Sequence, residues 1–164
     1  MTTSSAPTDH RVVVGVDGSP SSRQALRWAA AQAALTGAEL HAVTTWHLPA
    51  SYDWDGAIDS IDWSGGARRT LESAISDALS EEDAARVVRH LVEGHPARML
   101  VRQAADADLL VIGSRGHGGL AGILVGSVGL HLLAHATCPV VVVHGDRVPS
   151  ALTAADRSRQ FAHS

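Results

Sequence analysis

No lysine occurs anywhere in the 164 residues, and all thirteen basic side chains are arginine. A phosphate loop of the G-x-x-x-x-G-K-[ST] type needs a lysine to reach the outer phosphates, so the usual P-loop NTPase is excluded. Cysteine occurs once, at Cys138, which excludes an internal disulfide. Its place just before Pro139, with no base to activate it, reads as an inert buried thiol. No apolar run approaches the roughly 18 residues of a membrane helix. The opening stretch Met1–His10 has neither a basic start nor an apolar core, so no signal peptide is expected and the cytoplasm is the expected compartment. Positive charge is also short, with a formal net charge of −4. Neither nucleic acid nor an acidic membrane surface is therefore an expected partner.

What is present suffices for one globular domain with a real core: 45% of residues are apolar and 18% charged. Residues 1–9 are polar and contain Pro7, and read as a disordered lead-in. The domain is expected over 10–146. Residues 147–164 are polar, without periodicity, and are expected to form a mobile tail. Val12–Val16 is a continuous apolar run, the pattern of a strand buried on both faces. Ser19 is the expected N-cap of the helix that follows, Pro20 its first residue and Gly37 its stop, with Ala25, Leu26, Ala29, Ala30 and Ala33 on its buried face. Further strands are expected at Leu40–Thr45, Arg86–Glu93, Asp108–Gly113 and Pro139–His144. Helices are expected around Leu71–Leu79, from Pro96 to Ala104, and over 124–136. Five strands alternating with four helices imply an α/β fold, a doubly wound parallel sheet with helices on both faces.

The densest signal lies between the fourth strand and the last helix, where five glycines fall between positions 113 and 122. Glycine belongs where the backbone takes positive φ or something approaches it closely, and a strand–glycine loop–helix junction offers unpaired N–H groups to an anion. A merely flexible connection is the plain alternative. A dinucleotide fingerprint can be read as Gly113-x-x-Gly116-x-Gly118, but it should follow the first strand and be followed by an acidic residue about 20 positions on; it meets neither condition. The spacing that does fit is G-x2-G-x9-G-S, at Gly113, Gly116, Gly126 and Ser127. Ligands in such sheets bind at the carboxyl ends of the strands, where strand order reverses. An order of 2-1-3-4-5 would use the loop after the third strand, which is only Gly94-His95. An order of 3-2-1-4-5 sets Asp17 against the glycines.

This four-position motif, with Arg11-Val-Val-Val-Gly-Val-Asp-Gly-Ser19 and Cys138-Pro-Val-Val-Val-Val143, resembles the ATP-binding branch of the universal stress protein family. The resemblance implies the 3-2-1-4-5 order, a bound ATP, with Mg2+ as a possible companion, and a homodimer formed through the last strand. It carries the binding edge onto Gly15, Val16 and Asp17, onto Val43 through its backbone, and onto Gly113, Ser114, Arg115, Gly116, Gly126, Ser127 and Val128. The plain alternatives are a turn cap for Asp17, ordinary core for Val43 and a solvated loop tip for Arg115. Gly129 departs from the family, which often has a hydroxyl residue there, and this leaves AMP or cyclic AMP as alternative ligands. Gly113→Ala and Gly126→Ala are expected to weaken phosphate binding and leave the fold intact; proline at Val141 or Val142 is expected to favour the monomer.

The expected function is a nucleotide-dependent sensor in a stress response, read by an unknown signalling partner. The rival is a slow ATPase, although no nucleophile–base–orienter set is visible. His131 and His135 stand four apart, a metal-ligand spacing, but no third ligand is evident and a solvated helix face explains them. The acidic aromatic segment Tyr52–Trp63 is a packed loop, a lid or a partner surface.

Overall fold

The computed structural model describes residues 10–47, 62–116 and 125–145. The expectations for 1–9, for 147–164, for nearly all of 52–63 and for Gly118, Gly119 and Gly122 fall outside these. Ten elements follow in order: β1 (Arg11–Gly15), α1 (Pro20–Thr36), β2 (Glu39–Trp46), α2 (Trp63–Ala78), α3 (Glu81–Arg86), β3 (Val88–Glu93), α4 (Pro96–Gln103), β4 (Leu109–Gly113), α5 (Ser127–His135) and β5 (Val140–Val143). The five strands form one parallel sheet in the order β3-β2-β1-β4-β5, as the crevice argument required.

Alternate residues of the apolar strands feed two cores, which is why the strands read as unbroken hydrophobic runs. Val12, Val14, Ala42 and Val111 pack with Ala25, Leu26, Ala29 and Ala33 of α1 and Leu71, Ala74 and Ile75 of α2. Val13, Val43, Leu110 and Ile112 pack on the other face with Leu100 of α4 and Leu132 of α5. Helices thus cover both faces. The boundaries of α1 follow from its caps: the Ser22 N–H donates to the Ser19 hydroxyl at 3.2 Å, and Gly37 ends the helix at φ 72°.

Three boundaries differ from the sequence reading, one being the last helix, which starts at Ser127 rather than 124. The short α3 occupies residues to which the sequence reading gave no element, and β3 begins at Val88 rather than Arg86. Ser80 caps α3 by accepting the Asp83 N–H at 3.2 Å, three acidic residues fill its first turn and Arg86 its last. These groups favour the helix ends electrostatically. The helix buries no residue, so it leaves no apolar periodicity to find. The start of α2 lies at Trp63, inside a segment expected to be irregular, because Asp62 accepts the Gly65 N–H at 2.7 Å and caps it.

Candidate functional site

β1 and β4 lie side by side, yet the helices that follow them, α1 and α5, pack on opposite faces. The chain diverges at their carboxyl ends and leaves a cleft of about 1080 Å3. All eleven residues singled out from the sequence line it: Gly15, Val16 and Asp17 after β1, Val43 on β2, Gly113, Ser114, Arg115 and Gly116 after β4, and Gly126, Ser127 and Val128 at the start of α5. The fold brings them together; their roles differ.

The β1 side is a rigid turn. The Ser19 N–H donates to the Asp17 carboxylate at 2.9 Å, and the Ser22 hydroxyl donates to the Ser19 carbonyl at 3.0 Å. The β4 loop is tied to it, since the Arg115 N–H donates to the Ser21 hydroxyl at 3.3 Å and the Ser19 hydroxyl to the Arg115 carbonyl at 3.4 Å. This contact explains Gly113. A Cβ there would run into the Ser21 hydroxyl and lie 2.6 Å from the Ser21 carbonyl carbon, so glycine is required by the approach of α1. Gly116 faces Asp17, whose Oδ2 would sit 2.8 Å from a Cβ at that position. Gly126 alone of the three meets nothing within 4 Å. Positive φ, the other reason for glycine, is not what Gly113, Gly116 or Gly126 supplies; Gly18, Gly37, Gly94 and Gly145 do.

Ser114 is buried, and its backbone holds the motif together. Its N–H donates to the Val143 carbonyl at 2.9 Å and its carbonyl accepts the Gly126 N–H at 3.1 Å, while its hydroxyl lies 3.2 Å from His144 Nδ1. Gly126 then opens α5 with no side-chain cap. Among the described residues nothing accepts from the N–H groups of Ser127, Val128 and Gly129, so an uncapped helix end, with its partial positive charge, faces the cleft. Gly129 is buried; a Cβ there would sit 2.5 Å from Val125 Cγ1 and 3.2 Å from Ile112 Cδ1. The missing hydroxyl therefore has a packing cause.

The Val43 carbonyl accepts the Val16 N–H at 2.8 Å, and its buried side chain forms part of the cleft floor. Backbone groups alternate between neighbouring strands. The residue with the same orientation and no β1 left beside it is Thr45: among the described residues its N–H and carbonyl find no partner on that side, and Thr45 lines the cleft. Sequence reasoning missed it, although the alternation counted from where β1 ends would have found it. Also missed was the wall contributed by Trp46, His47, Asp62, Trp63 and Arg69. The Trp63 indole N–H is enclosed without an acceptor among the described residues. Hydrogen bonds from the Gly65 N–H and then the Ser64 hydroxyl hold the Asp62 carboxyl below its ordinary pKa, so this rim pairs a carboxylate with the Arg69 guanidinium.

Away from the cleft, burial pushes the Cys138 thiol pKa up, which keeps it in the unreactive form. Among the described residues no three His, Cys, Asp or Glu side chains converge on a metal position, and no helix is long and apolar enough to cross a membrane.

The comparisons with known proteins agree with this architecture. A universal stress protein of Mycolicibacterium smegmatis is 35% identical over 148 residues, covering 85% of this chain and 49% of that protein. One of Mycobacterium tuberculosis is 36% identical over 139 residues, covering 83% and 46%. The chain thus spans about half the length of the curated relatives it matches. Among solved structures, a universal stress protein in complex with cAMP superposes with a TM-score of 0.60 at 32% identity, over 84% of this chain and 98% of that one. The universal stress protein of Archaeoglobus fulgidus in complex with dAMP gives a TM-score of 0.59 at 28% identity, over 82% and 98%. Residues 10–144 match the profile of the universal stress protein family, and the chain belongs to that family.

Proposed function

We propose that this chain binds an adenine nucleotide, ATP in the first place, in the cleft between β1 and β4. In this reading, occupancy alters a neighbouring surface that a signalling partner reads in a stress response. The observation that carries the reading is the uncapped start of α5. Three backbone N–H groups at Ser127, Val128 and Gly129 open onto the cleft, as a phosphate chain requires. At the far side the free backbone edge of Thr45 offers one donor and one acceptor, the pair an adenine edge needs. The cleft, at about 1080 Å3, stands at the upper end of the roughly 300–1,000 Å3 usual for small-molecule sites. Adenine nucleotides in two relatives support the same choice. Leu130, 60% exposed, borders both the cleft and the solvent, and so belongs to the surface that occupancy would change.

The described residues form no metal site of their own. Mg2+ would therefore arrive on the phosphate oxygens, with Asp17 as the carboxylate beside the glycine segment. Gly129 favours a second reading, AMP or cyclic AMP, since Val125 and Ile112 occupy the space where a hydroxyl residue would reach outer phosphates. Calorimetric titration of nucleotide-free protein with ATP, AMP, cyclic AMP and GTP separates these readings: ATP should bind more tightly than GTP. No heat with any of the four would remove nucleotide binding altogether. Hydrolysis should be slow or absent, because no side chain of the motif is placed as a base for water. We also propose a cytoplasmic homodimer paired through β5.

A further inference from the structure

Between α4 and α5, outside the nucleotide cleft, lies a groove of about 430 Å3 lined by Arg98, Met99, Val101, Arg102, His131 and His135. Residues four apart on a helix share a face, so α4 presents two guanidinium groups and α5 two imidazoles. The imidazole rings are stacked, with centroids 4.2 Å apart and planes 19° from parallel. His135 Nδ1 lies 2.9 Å from the His131 carbonyl and donates to it. Its remaining nitrogen, Nε2, therefore becomes a donor only when the ring is charged.

None of these four basic side chains forms an ion pair among the described residues. The chain as a whole carries an acidic excess of −4, so the cluster is not a by-product of a basic protein. Loss of hydration, then the neighbouring charges of His135, His95 and Arg98, lower the pKa of His131. The titratable side chains that line this groove, and the charges that act on His131, are all basic among the described residues. A metal ion at the His131–His135 spacing would face two guanidinium groups, and among the described residues no third ligand converges there. The sign of the field selects an anion. Planar guanidinium forks pair two N–H groups with two oxygens of a phosphate, a geometry that lysine lacks. The groove is at the small end of ligand pockets.

We propose that the α4–α5 groove is a second ligand site, which takes a small multiply charged phosphate-type anion, with pyrophosphate as its simplest occupant. Arg98 and Arg102 clasp its oxygens, and His131 and His135 bind it by taking up a proton. The site stands apart from the nucleotide reading: Pro96 and Leu100 of α4 and Ser127–Leu130 of α5 line the cleft, and none of the six groove residues does.

The test follows the ring resonances of His131 and His135 by NMR during titration with pyrophosphate, and the dependence of the shifts on Arg98 and Arg102, which do not line the cleft, separates them from binding there. Both rings should shift saturably, their titration should move to higher pH, and Arg98→Gln/Arg102→Gln should weaken the effect about tenfold or more. Arg98 and Arg102 are exposed, so this variant should keep the wild-type melting temperature. His135→Gln should retain part of the affinity and lose part of its gain on acidification, and His131→Gln/His135→Gln should lose all of that gain. Shifts absent at millimolar pyrophosphate, or unchanged in the double arginine variant, overturn the proposal. Tighter binding of a tetraglutamate peptide than of pyrophosphate also overturns it and gives the groove to an acidic protein segment.

Discussion

Gly113 and Gly126 belong to one motif, yet the space around them predicts opposite outcomes for the same substitution. At Gly113 an added Cβ meets backbone atoms of Ser21, which cannot swing away. Gly113→Ala should destabilise the protein by ~1–3 kcal/mol, the range for overpacking, and lower its melting temperature in a thermal scan. At Gly126 the added methyl meets no protein atom within 4 Å. Gly126→Ala should melt like the wild type and lose about tenfold or more in ATP affinity by calorimetry, because the methyl enters the space proposed for phosphate. Equal melting temperatures for the two variants would show that α1 yields. The sequence revealed that these glycines matter but not why, since helix approach and ligand approach demand the same residue. Asp17 and Ser127 were legible because their residue types match their places beside a turn and at a helix start. Thr45 was not, because its part rests on which strand has already ended.

At the level of elements, the parallel strands and α1 were plain in the sequence, since buried runs and caps are local. The six-residue α3 was hidden by having no buried face. Glu39, His41 and His90 make a feature that no local pattern announces: His41 Nε2 lies 2.8 Å from the Glu39 carboxylate and His41 Nδ1 lies 2.8 Å from His90 Nε2, across β2 and β3. Burial, followed by the neighbouring His41, lowers the His90 pKa. A histidine whose folded pKa is depressed leaves the unfolded chain binding more protons as pH falls below about 6.5, so stability is lost on acidification through that value and is flat above it. Urea denaturation between pH 7.5 and 5.5 should show this loss, and His90→Gln should flatten it. A variant as acid-sensitive as the wild type would place the titration elsewhere. On the opposite face, Leu26 is fully buried beneath α1, and Leu26→Ala should cost ~2–5 kcal/mol in the same assay.

For the whole molecule, β5 ends the sheet with β4 on one side and no strand on the other among the described residues, a long-standing hazard for aggregation that pairing with a second copy removes. The Leu110 and Ser114 N–H groups donate to Pro139 and Val143, so residues 139, 141 and 143 face β4 and the backbones of Val140 and Val142 face outward. This refines the sequence expectation. Val142→Pro should remove an outward donor and shift the proposed dimer toward monomer in light scattering, whereas Val141→Pro should break the ladder to β4 and lower the melting temperature. A wild type that is monomeric at micromolar concentration would remove the dimer from this reading.

Ser114 has a consequence of a different kind. By accepting the Gly126 N–H and being held in turn by Val143, it makes the span between 114 and 126 a closed ring whose two ends belong to the core. The cost of closing such a ring grows only with the logarithm of its length, ~0.6 kcal/mol for each doubling. Insertions between the described residues Gly116 and Val125 should therefore leave the melting temperature close to that of the wild type, because closing a longer ring onto the same two anchors adds little cost.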